Sequence, residues 1–364
     1  MMRTTSSPDA SCFILRLPWS RGTEAYNLGR PGERLTENCV ATLAFGAEKM
    51  NVFPWRGADI PAELPLFFPP DPVPEATRAA DYLRALDSYI EDLKEMDGRG
   101  EEGKVVGARV LTAPPKARRL EIYDRLERLY PGAFVFYLST PETGSWIGAS
   151  PELLLKREGD TIHTVALAGT RRAGTEGDWD FKNVREQQMV TDFICETLSR
   201  HGLTPKCQPT ETHNAGPVEH LITRISADVP ETFGLAETQA LVTDLSPTPA
   251  LSGLPREKAM KLIEANETFR RHLYGGCIGR IRDAKDWCFF VNLRSALLST
   301  RATYLYVGGG ITALSEPMKE WEETELKSVT LLKVFAPGSI VIPGESPKPI
   351  TIGRRHRRRR PRKF

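Results

Sequence analysis

The sequence predicts an α+β fold, because helical and strand-like segments come in blocks instead of in strict alternation. Strict alternation of strand and helix is typical of a parallel sheet covered by helices, whereas blocks favour antiparallel strands. The chain has 364 residues, of which 40% are hydrophobic, so it can bury one large core or two moderate ones. It contains no internal repeat that would indicate a solenoid.

The elements are predicted from short sequence patterns along the chain. Up to residue 75, short apolar runs alternate with Gly and Pro, which indicates short strands and turns. A helical pattern runs from Ala76 to Leu93, and a polar loop separates it from the apolar run VVGARVL. The sequence then predicts a helix over PKARRLEIYDRLERLY and strands over AFVFYLS, SWIGAS, ELLLKRE and TIHTVALAG. A long helix, two further helices, the strands CFFVNLRSALL and ATYLYVGGG, and a final helix follow.

We divide the chain into residues 1–95, an N-terminal part of the fold, residues 96–340, the core, and residues 341–364, a basic tail. Between Arg354 and Lys363 the tail carries eight Arg and Lys residues, without which the net charge of +2 would be −6. Such a run could bind nucleic acid or anionic lipid. We expect a disordered tail instead, since charge blocks usually stay solvated and no nucleic-acid-binding motif precedes this one.

Membrane and secretion signals are not recognisable in the sequence. It contains no run of about 18 apolar residues and no basic start followed by an apolar block, so we expect a cytoplasmic protein. The six cysteines are scattered without a C-x-x-C pair, which argues against a zinc site or a disulfide framework. We expect reduced thiols, most of them buried.

One predicted helix carries a glutamate where an apolar residue would be expected. In KNVREQQMVTDFICETLSR, an apolar stripe contains Met189, Val190, Phe193 and Ile194. Glu186 precedes Met189 by three positions and Val190 by four, so its carboxylate points the same way as the stripe. A buried carboxylate needs a cation or a raised pKa. The alternative is that Glu186 lies at a frayed edge of the stripe.

The final predicted helix, PMKEWEETELKSVTLLKVF, repeats this pattern. Glu320, Glu323 and Lys327 share one face, and Leu331 and Val334 continue that face as core residues. Alone, Glu323 and Lys327 could be an ordinary surface ion pair. Glutamates on the inner faces of two helices, without Cys or His partners, favour a hard cation that binds oxygen. We therefore predict a magnesium ion that bridges to an anionic substrate.

The chain resembles the chorismate-utilising enzymes, and most of all their isochorismate synthase branch. The resemblance runs from Lys104 to Phe335 through a series of ordered motifs. These are GKVVGAR, GASPELLL, LAGT, KNVREQQMV, VEHLITRI, SPTPALSGLP, ETFRRHLYGGCIGRI, VNLRSALL, GGGITALSEP and EWEETELK. The resemblance implies a single chorismate-binding domain of two large, mainly antiparallel sheets that face each other, with helices outside.

The resemblance also implies roles for individual residues. Magnesium would be held by Glu186, Glu320 and Glu323, the general base would be Lys104, and the general acid would be Glu152. Both proton-transfer roles are needed, because water attacks ring carbon 2 of chorismate while the hydroxyl group leaves carbon 4. Without the resemblance, a solvent-facing Lys104 and a Glu152 in a turn would be the simpler interpretations.

Further residues match substrate contacts of the family. Arg294 matches a clamp for the second carboxylate of chorismate, for which a planar guanidinium is well suited. The amides of the three glycines resemble a turn that cradles a carboxylate, although a plain glycine turn is the alternative, and His220 could equally be a core histidine. The full set of predicted substrate contacts is Thr170, His220, Tyr274, Arg294, Gly308, Gly309, Gly310 and Lys327.

Two departures from the family pattern are visible. Where many relatives have K-D-x-x-E-H, this chain has Lys182 and Asn183, then Glu186 and Gln187. An acidic group and a histidine beside the metal ligand are therefore replaced. Ser246 stands where many isochorismate synthases have histidine in H-P-T-P-A.

Several functions remain open at the level of sequence. Anthranilate and aminodeoxychorismate synthases use ammonia, which needs no lysine base of this kind, so Lys104 argues against them. A salicylate synthase, which makes isochorismate and then eliminates pyruvate, is not separated from an isochorismate synthase, nor is a menaquinone pathway from a siderophore pathway. We expect a monomer that needs no glutaminase subunit. A polyanion-binding protein that uses the basic tail is the non-enzyme alternative.

Overall fold

The computed structural model describes residues 10–68, 73–214 and 218–335. The basic tail and the first nine residues lie outside these ranges. Within them the chain forms the strands β1 (Cys12–Arg16), β2 (Glu24–Leu28), β3 (Cys39–Leu43), β4 (Asn51–Gly57), β5 (Lys104–Ala113), β6 (Phe134–Thr140), β7 (Gly144–Ser150), β8 (Leu153–Glu158), β9 (Thr161–Arg172), β10 (Lys206–Cys207), β11 (Glu211–Asn214), β12 (Val218–Asp228), β13 (Gly253–Leu254), β14 (Cys277–Ile281), β15 (Asp286–Val291), β16 (Ser295–Leu298) and β17 (Thr303–Thr312). The helices are α1 (Ala79–Gly98), α2 (Arg119–Leu129), α3 (Phe181–Arg200), α4 (Leu235–Leu245), α5 (Arg256–Asn266) and α6 (Pro317–Phe335).

The strands form two antiparallel sheets that are joined at one strand. The first sheet has the order β13-β5-β17-β16-β7-β6-β1-β2. The second has the order β3-β14-β15-β8-β9-β12, and β10 and β11 both pair with β12. β4 pairs with β2 of the first sheet and with β3 of the second. The early strands thus connect the two layers.

Buried side chains fill the space between the sheets and the space beneath the helices. Phe134 of β6 stacks on Phe290 of β15 with ring centroids 4.2 Å apart, so the two sheets face each other. α3 and α4 cover the second sheet, where Val190 and Leu241 belong to one apolar cluster. α2 and α6 cover the first sheet, where Leu331 of α6 belongs to a second apolar cluster. The predicted architecture of two facing antiparallel sheets with outer helices is confirmed.

The strand prediction over CFFVNLRSALL is wrong in one respect. The segment forms two strands, β15 in the second sheet and β16 in the first, which are separated by residues 292–294. Arg294 has a positive φ of 46°, a backbone conformation that ends an extended strand. The apolar pattern continues through this break because both strands are buried, so periodicity could not reveal it.

The first predicted helix, over Ala76 to Leu93, begins and ends a few residues later, at Ala79 and Gly98. The six cysteines are free, and four of them are buried, whereas Cys195 is half-buried and Cys207 is exposed. Among the helices of the described ranges, none has the length and apolar character required to cross a bilayer.

Candidate active site

A cavity of about 200 Å³ is lined by residues of β5, β9, β12, β17, α3 and α6 and of the loops between them. Every predicted site residue except Glu320 lines it. Glu320 lies close to it, since a Cβ built on the lining residue Gly309 would be 3.8 Å from a Glu320 carboxylate oxygen. Residues that are far apart in the sequence are thus brought to one place, as the family motifs predicted.

The predicted base and one predicted metal ligand form an ion pair. Lys104 is the first residue of β5 and is 3% exposed, and its Nζ lies 2.6 Å from Oε1 of Glu186 on α3. The Glu186 side chain is 18% exposed, so the inward orientation predicted from its helix is observed. Burial acts to raise the pKa of Glu186, but the charge and hydrogen bond of Lys104 outweigh it and lower that pKa.

Glu320 and Glu323 lie on the first turns of α6 and face the middle of β17. A Cβ built on Gly309 would be 3.5 Å from Oε1 of Glu323, so the absence of a side chain there leaves room for both carboxylates. Ser315 donates a hydrogen bond to Glu320, and Lys327 pairs with Glu323 at 2.6 Å. Burial, and to a lesser extent the charge of Glu323, raise the pKa of Glu320. The Ser315 hydrogen bond and the charges of Lys182 and Lys327 act in the opposite direction but do not outweigh burial.

Glu152 follows the end of β7 and is 6% exposed. Its carboxyl group makes no hydrogen bond or ion pair with another described residue. Burial raises its pKa to about 7, although the charges of Lys104 and Arg294 act in the opposite direction. A carboxylic acid with such a pKa is partly protonated at neutral pH, so it can donate a proton there.

Arg294 occupies the connection between β15 and β16 and faces the cavity. Its guanidinium donates no hydrogen bond to another described residue, and burial lowers its pKa. The nearby Lys327 donates a hydrogen bond to the Gly308 carbonyl at 3.1 Å. Arg294 and Lys327 therefore add positive charge to the cavity wall, and the Arg294 guanidinium has no hydrogen-bond partner among the described residues, which suits an anionic ligand.

The three glycines do not form the predicted turn. Gly308, Gly309 and Gly310 lie inside β17 and pair regularly with Ala108, Gly107 and Val106 of β5. The pairing with β5 continues as far as Thr312, so the chain stays extended through the three glycines. The glycines instead allow close approach: a Cβ on residue 310 would be 2.9 Å from Cε of Lys104 and 3.4 Å from the Glu186 carboxylate.

His220 and Thr170 face each other across β12 and β9. Nδ1 of His220 lies 3.0 Å from the Gly169 carbonyl, and since a carbonyl can only accept, this nitrogen carries the proton. Burial lowers the pKa of His220 to about 4, so the ring is neutral at neutral pH. The buried Tyr274 completes this side of the cavity, and its ring stacks on that of Tyr306 with centroids 5.2 Å apart.

Lys182 is a site residue that the sequence reasoning did not propose. It lines the cavity near the start of α3, and its Nζ lies 3.7 Å from Oε1 of Glu320. Its neighbour Asn183 accepts a hydrogen bond from the backbone of Thr170, which fixes α3 against β9. The place of Lys182 in the family motif was the available signal for a role in the site. A lysine in the first turn of a helix ordinarily faces solvent, so the sequence pattern alone did not indicate such a role.

The replaced histidine position has a structural role in this chain. Gln187 is buried and donates hydrogen bonds to the Ala166 carbonyl and the Thr223 hydroxyl, both at 3.0 Å. These bonds attach α3 to β9 and β12 one residue after Glu186. Ser246, the other departure, does not line the cavity, whereas Ala250 of the same motif does.

The three glutamates supply the donor set that magnesium prefers, but each now has another partner. Within residues 10–68, 73–214 and 218–335, no three acidic, histidine or cysteine side chains are close enough together to hold a metal ion as they stand. Lys104, Lys182 and Lys327 stand beside the carboxylates. The donor chemistry fits magnesium, provided that the ion pairs between these lysines and the glutamates are broken when the metal binds.

Comparison with known proteins identifies the family to which the chain belongs. The family model described as "Chorismate binding enzyme" matches residues 73–336. The isochorismate synthase MenF of Escherichia coli (strain K12) is 32% identical over 247 residues, which cover 64% of this chain and 56% of that protein. The anthranilate synthase component 1 of Mycobacterium tuberculosis (strain CDC 1551 / Oshkosh) is 27% identical over 300 residues, which cover 77% of this chain and 57% of that protein.

The same likeness appears in three dimensions. The solved structure of MenF from Escherichia coli superposes with a TM-score of 0.72 at 23% identity, covering 91% of this chain and 90% of that one. In sequence, the chain spans a little over half the length of the curated relatives it matches, 56% and 57% for the two proteins above. Since the family model covers most of the sequence, this chain belongs to the chorismate binding enzymes.

Proposed function

We propose that this protein is an isochorismate synthase that converts chorismate to isochorismate with one magnesium ion. The observation that carries the proposal is the placement of Lys104 and Glu152 in one cavity. Lys104 supplies an amino group and Glu152 a buried carboxyl group. The MenF relative, at 32% identity, is named for this activity. An ammonia-using enzyme would have no need for a buried lysine base here.

The proton transfers follow from the side chains. Glu152, whose pKa is raised to about 7 by burial, donates its proton to the hydroxyl group that leaves carbon 4 of the ring. Lys104 takes a proton from the water that attacks carbon 2. To do so it must be a neutral amine with a free lone pair, whereas in the structure its Nζ is paired with Glu186 at 2.6 Å.

The glutamates connect the base to the metal site. When bound, magnesium would neutralise Glu186, Glu320 and Glu323 and hold a carboxylate of the substrate. Lys104 would then lose its carboxylate partner, which favours the neutral amine that can accept a proton. Arg294, whose guanidinium has no partner among the described residues, would hold the second carboxylate of chorismate.

Product analysis tests this proposal directly. The purified protein is incubated with chorismate and magnesium, without ammonia, and the products are separated by chromatography. Isochorismate alone is the expected product. Salicylate would show that pyruvate elimination follows in the same cavity, and turnover that requires ammonia would assign the protein to the amine-forming branch. No conversion of chorismate at all would overturn the proposal.

A further inference from the structure

We propose that Cys195 and Cys207 form a reversible disulfide, which makes this pair a site of oxidative modification apart from the cavity. Cys195 lies in the second half of α3, and Cys207 ends the short strand β10. Their sulfur atoms are 3.2 Å apart. Neither residue lines the cavity, so the proposal does not depend on the proposed function.

The geometry requires a small movement for the bond to form. A disulfide has a sulfur–sulfur distance of about 2.05 Å, so the two atoms must approach by about 1 Å more. β10 is able to supply this movement, because it has two residues, is exposed, and pairs with β12 alone among the described strands. α3 is held by buried side chains such as Ile194 and Leu198. The strand therefore moves toward the helix.

Exposure separates this pair from the other four cysteines. Cys12, Cys39, Cys277 and Cys288 are buried and are closed to an oxidant in solution. Cys207 is exposed and Cys195 is half-buried, so an oxidant reaches Cys207 first. Burial and the contact with Cys207 raise the pKa of the Cys195 thiol. Cys195 is therefore the residue that reacts second.

The reaction balances with hydrogen peroxide as the oxidant. The Cys207 thiolate attacks one peroxide oxygen, which breaks the O–O bond and gives a sulfenic acid and water once a proton is taken up. The Cys195 sulfur then attacks the Cys207 sulfur and displaces the hydroxyl group, which leaves as a second water with the Cys195 proton. Two thiols are oxidised by two electrons in total, and one peroxide is reduced to two waters. A thiol reductant reverses the change.

The bond would join the helix that carries Glu186 to the edge of the second sheet. It would close the loop between two residues that are 12 positions apart in the sequence. A closed loop limits the unfolded chain, so the oxidised protein should unfold at a higher temperature than the reduced protein.

The experiment uses the full chain with a small excess of hydrogen peroxide, followed by digestion without reduction and mass spectrometry. We expect one linked peptide pair that contains Cys195 and Cys207, lighter by two hydrogen atoms than the sum of its parts and separated again by dithiothreitol. Cys195→Ser should instead leave Cys207 as a sulfenic acid, which dimedone captures. Cys207→Ser should leave Cys195 largely unmodified over the same time. A wild-type protein in which Cys207 is oxidised to a sulfinic acid while Cys195 stays a free thiol would overturn the proposal.

Discussion

Two groups of charged residues line the same cavity but hold their charges differently. In the paired cluster, formed by Lys104, Glu186, Glu323 and Lys327, each carboxylate has an ammonium group at 2.6 Å. In the unpaired cluster, formed by Glu152 and Arg294, neither side chain has a hydrogen-bond or ion-pair partner among the described residues. Pairing keeps groups ionised and ready to exchange partners, whereas unrelieved burial keeps a proton on a carboxyl group. The difference matches the two proposed roles of the cavity, metal binding by Glu186, Glu320 and Glu323 and acid catalysis by Glu152.

Substituting Lys104, the proposed general base in the paired cluster, should have the largest effect on turnover. We expect Lys104→Ala to reduce isochorismate formation by about 10²–10⁴-fold, because the attacking water loses its proton acceptor. Lys104→Arg should be equally impaired, since a guanidinium keeps the ion pair with Glu186 but does not give up its proton. Steady-state rates of both variants are compared with the exposed control Lys285→Ala, with circular dichroism to verify folding. A folded Lys104→Arg enzyme with a near-normal rate would exclude the role as a base.

Breaking the unpaired cluster tests the acid. We expect Glu152→Gln to slow turnover by about 10²–10⁴-fold, because the leaving hydroxyl group is no longer protonated. In the wild type, the acid form is lost as pH rises through its pKa of about 7, so the rate should fall above that pH. The rate of the wild type and the residual rate of the variant are measured from pH 5 to about pH 9. If the variant kept the same decline near pH 7, the decline would belong to another group.

Magnesium binding sharpens the comparison, because it should depend on Glu186, Glu320 and Glu323 and not on Glu152. We expect Glu320→Gln and Glu323→Gln each to weaken magnesium binding by at least about tenfold. Isothermal titration of the metal into protein without substrate measures this apart from turnover. Glu322→Gln is the matched control, since Glu322 is exposed on the same helix. A Glu320→Gln protein that binds magnesium like the wild type would remove that residue from the ligand set.

The smallest effect is expected from the basic tail, which lies outside both clusters and outside the described residues. Truncation after Gly353 should leave the turnover of chorismate unchanged, because the predicted catalytic groups lie between Lys104 and Lys327. The same truncation should abolish any salt-sensitive binding to a polyanion such as heparin. Turnover and heparin retention are measured on the same two preparations. A truncated protein that folds but does not turn over would contradict the assignment of the cavity as the complete site.

The sequence predicted the inward faces of α3 and α6, because a glutamate among buried apolar residues interrupts a regular helical period. Leu331 and Val334 are buried on the face that begins with Glu320, as that period required. The ion pair between Lys104 and Glu186 was not predictable in this way. It joins residues 82 positions apart, and helical or strand periodicity carries no information on such contacts.

The two failures at β16 and β17 have a common origin. Around Arg294 the apolar pattern hid a break, and at Gly308 to Gly310 the family resemblance suggested a turn where a strand continues. In both places the backbone conformation is set by tertiary neighbours: Gly148 and the other β7 residues for β16, and the β5 register for β17. Local preferences of arginine and glycine could not decide either one.

The position of Arg294 between β15 and β16 has a mechanical consequence. Its backbone is where the chain leaves one layer and enters the other, and the Arg294 carbonyl accepts a hydrogen bond from Ala149 of β7. Any sliding of one layer over the other must therefore displace the guanidinium relative to the cavity. Substitutions at the interface between the layers, such as the stacked rings of Phe134 and Phe290, would therefore change the position of the Arg294 guanidinium without touching the cavity.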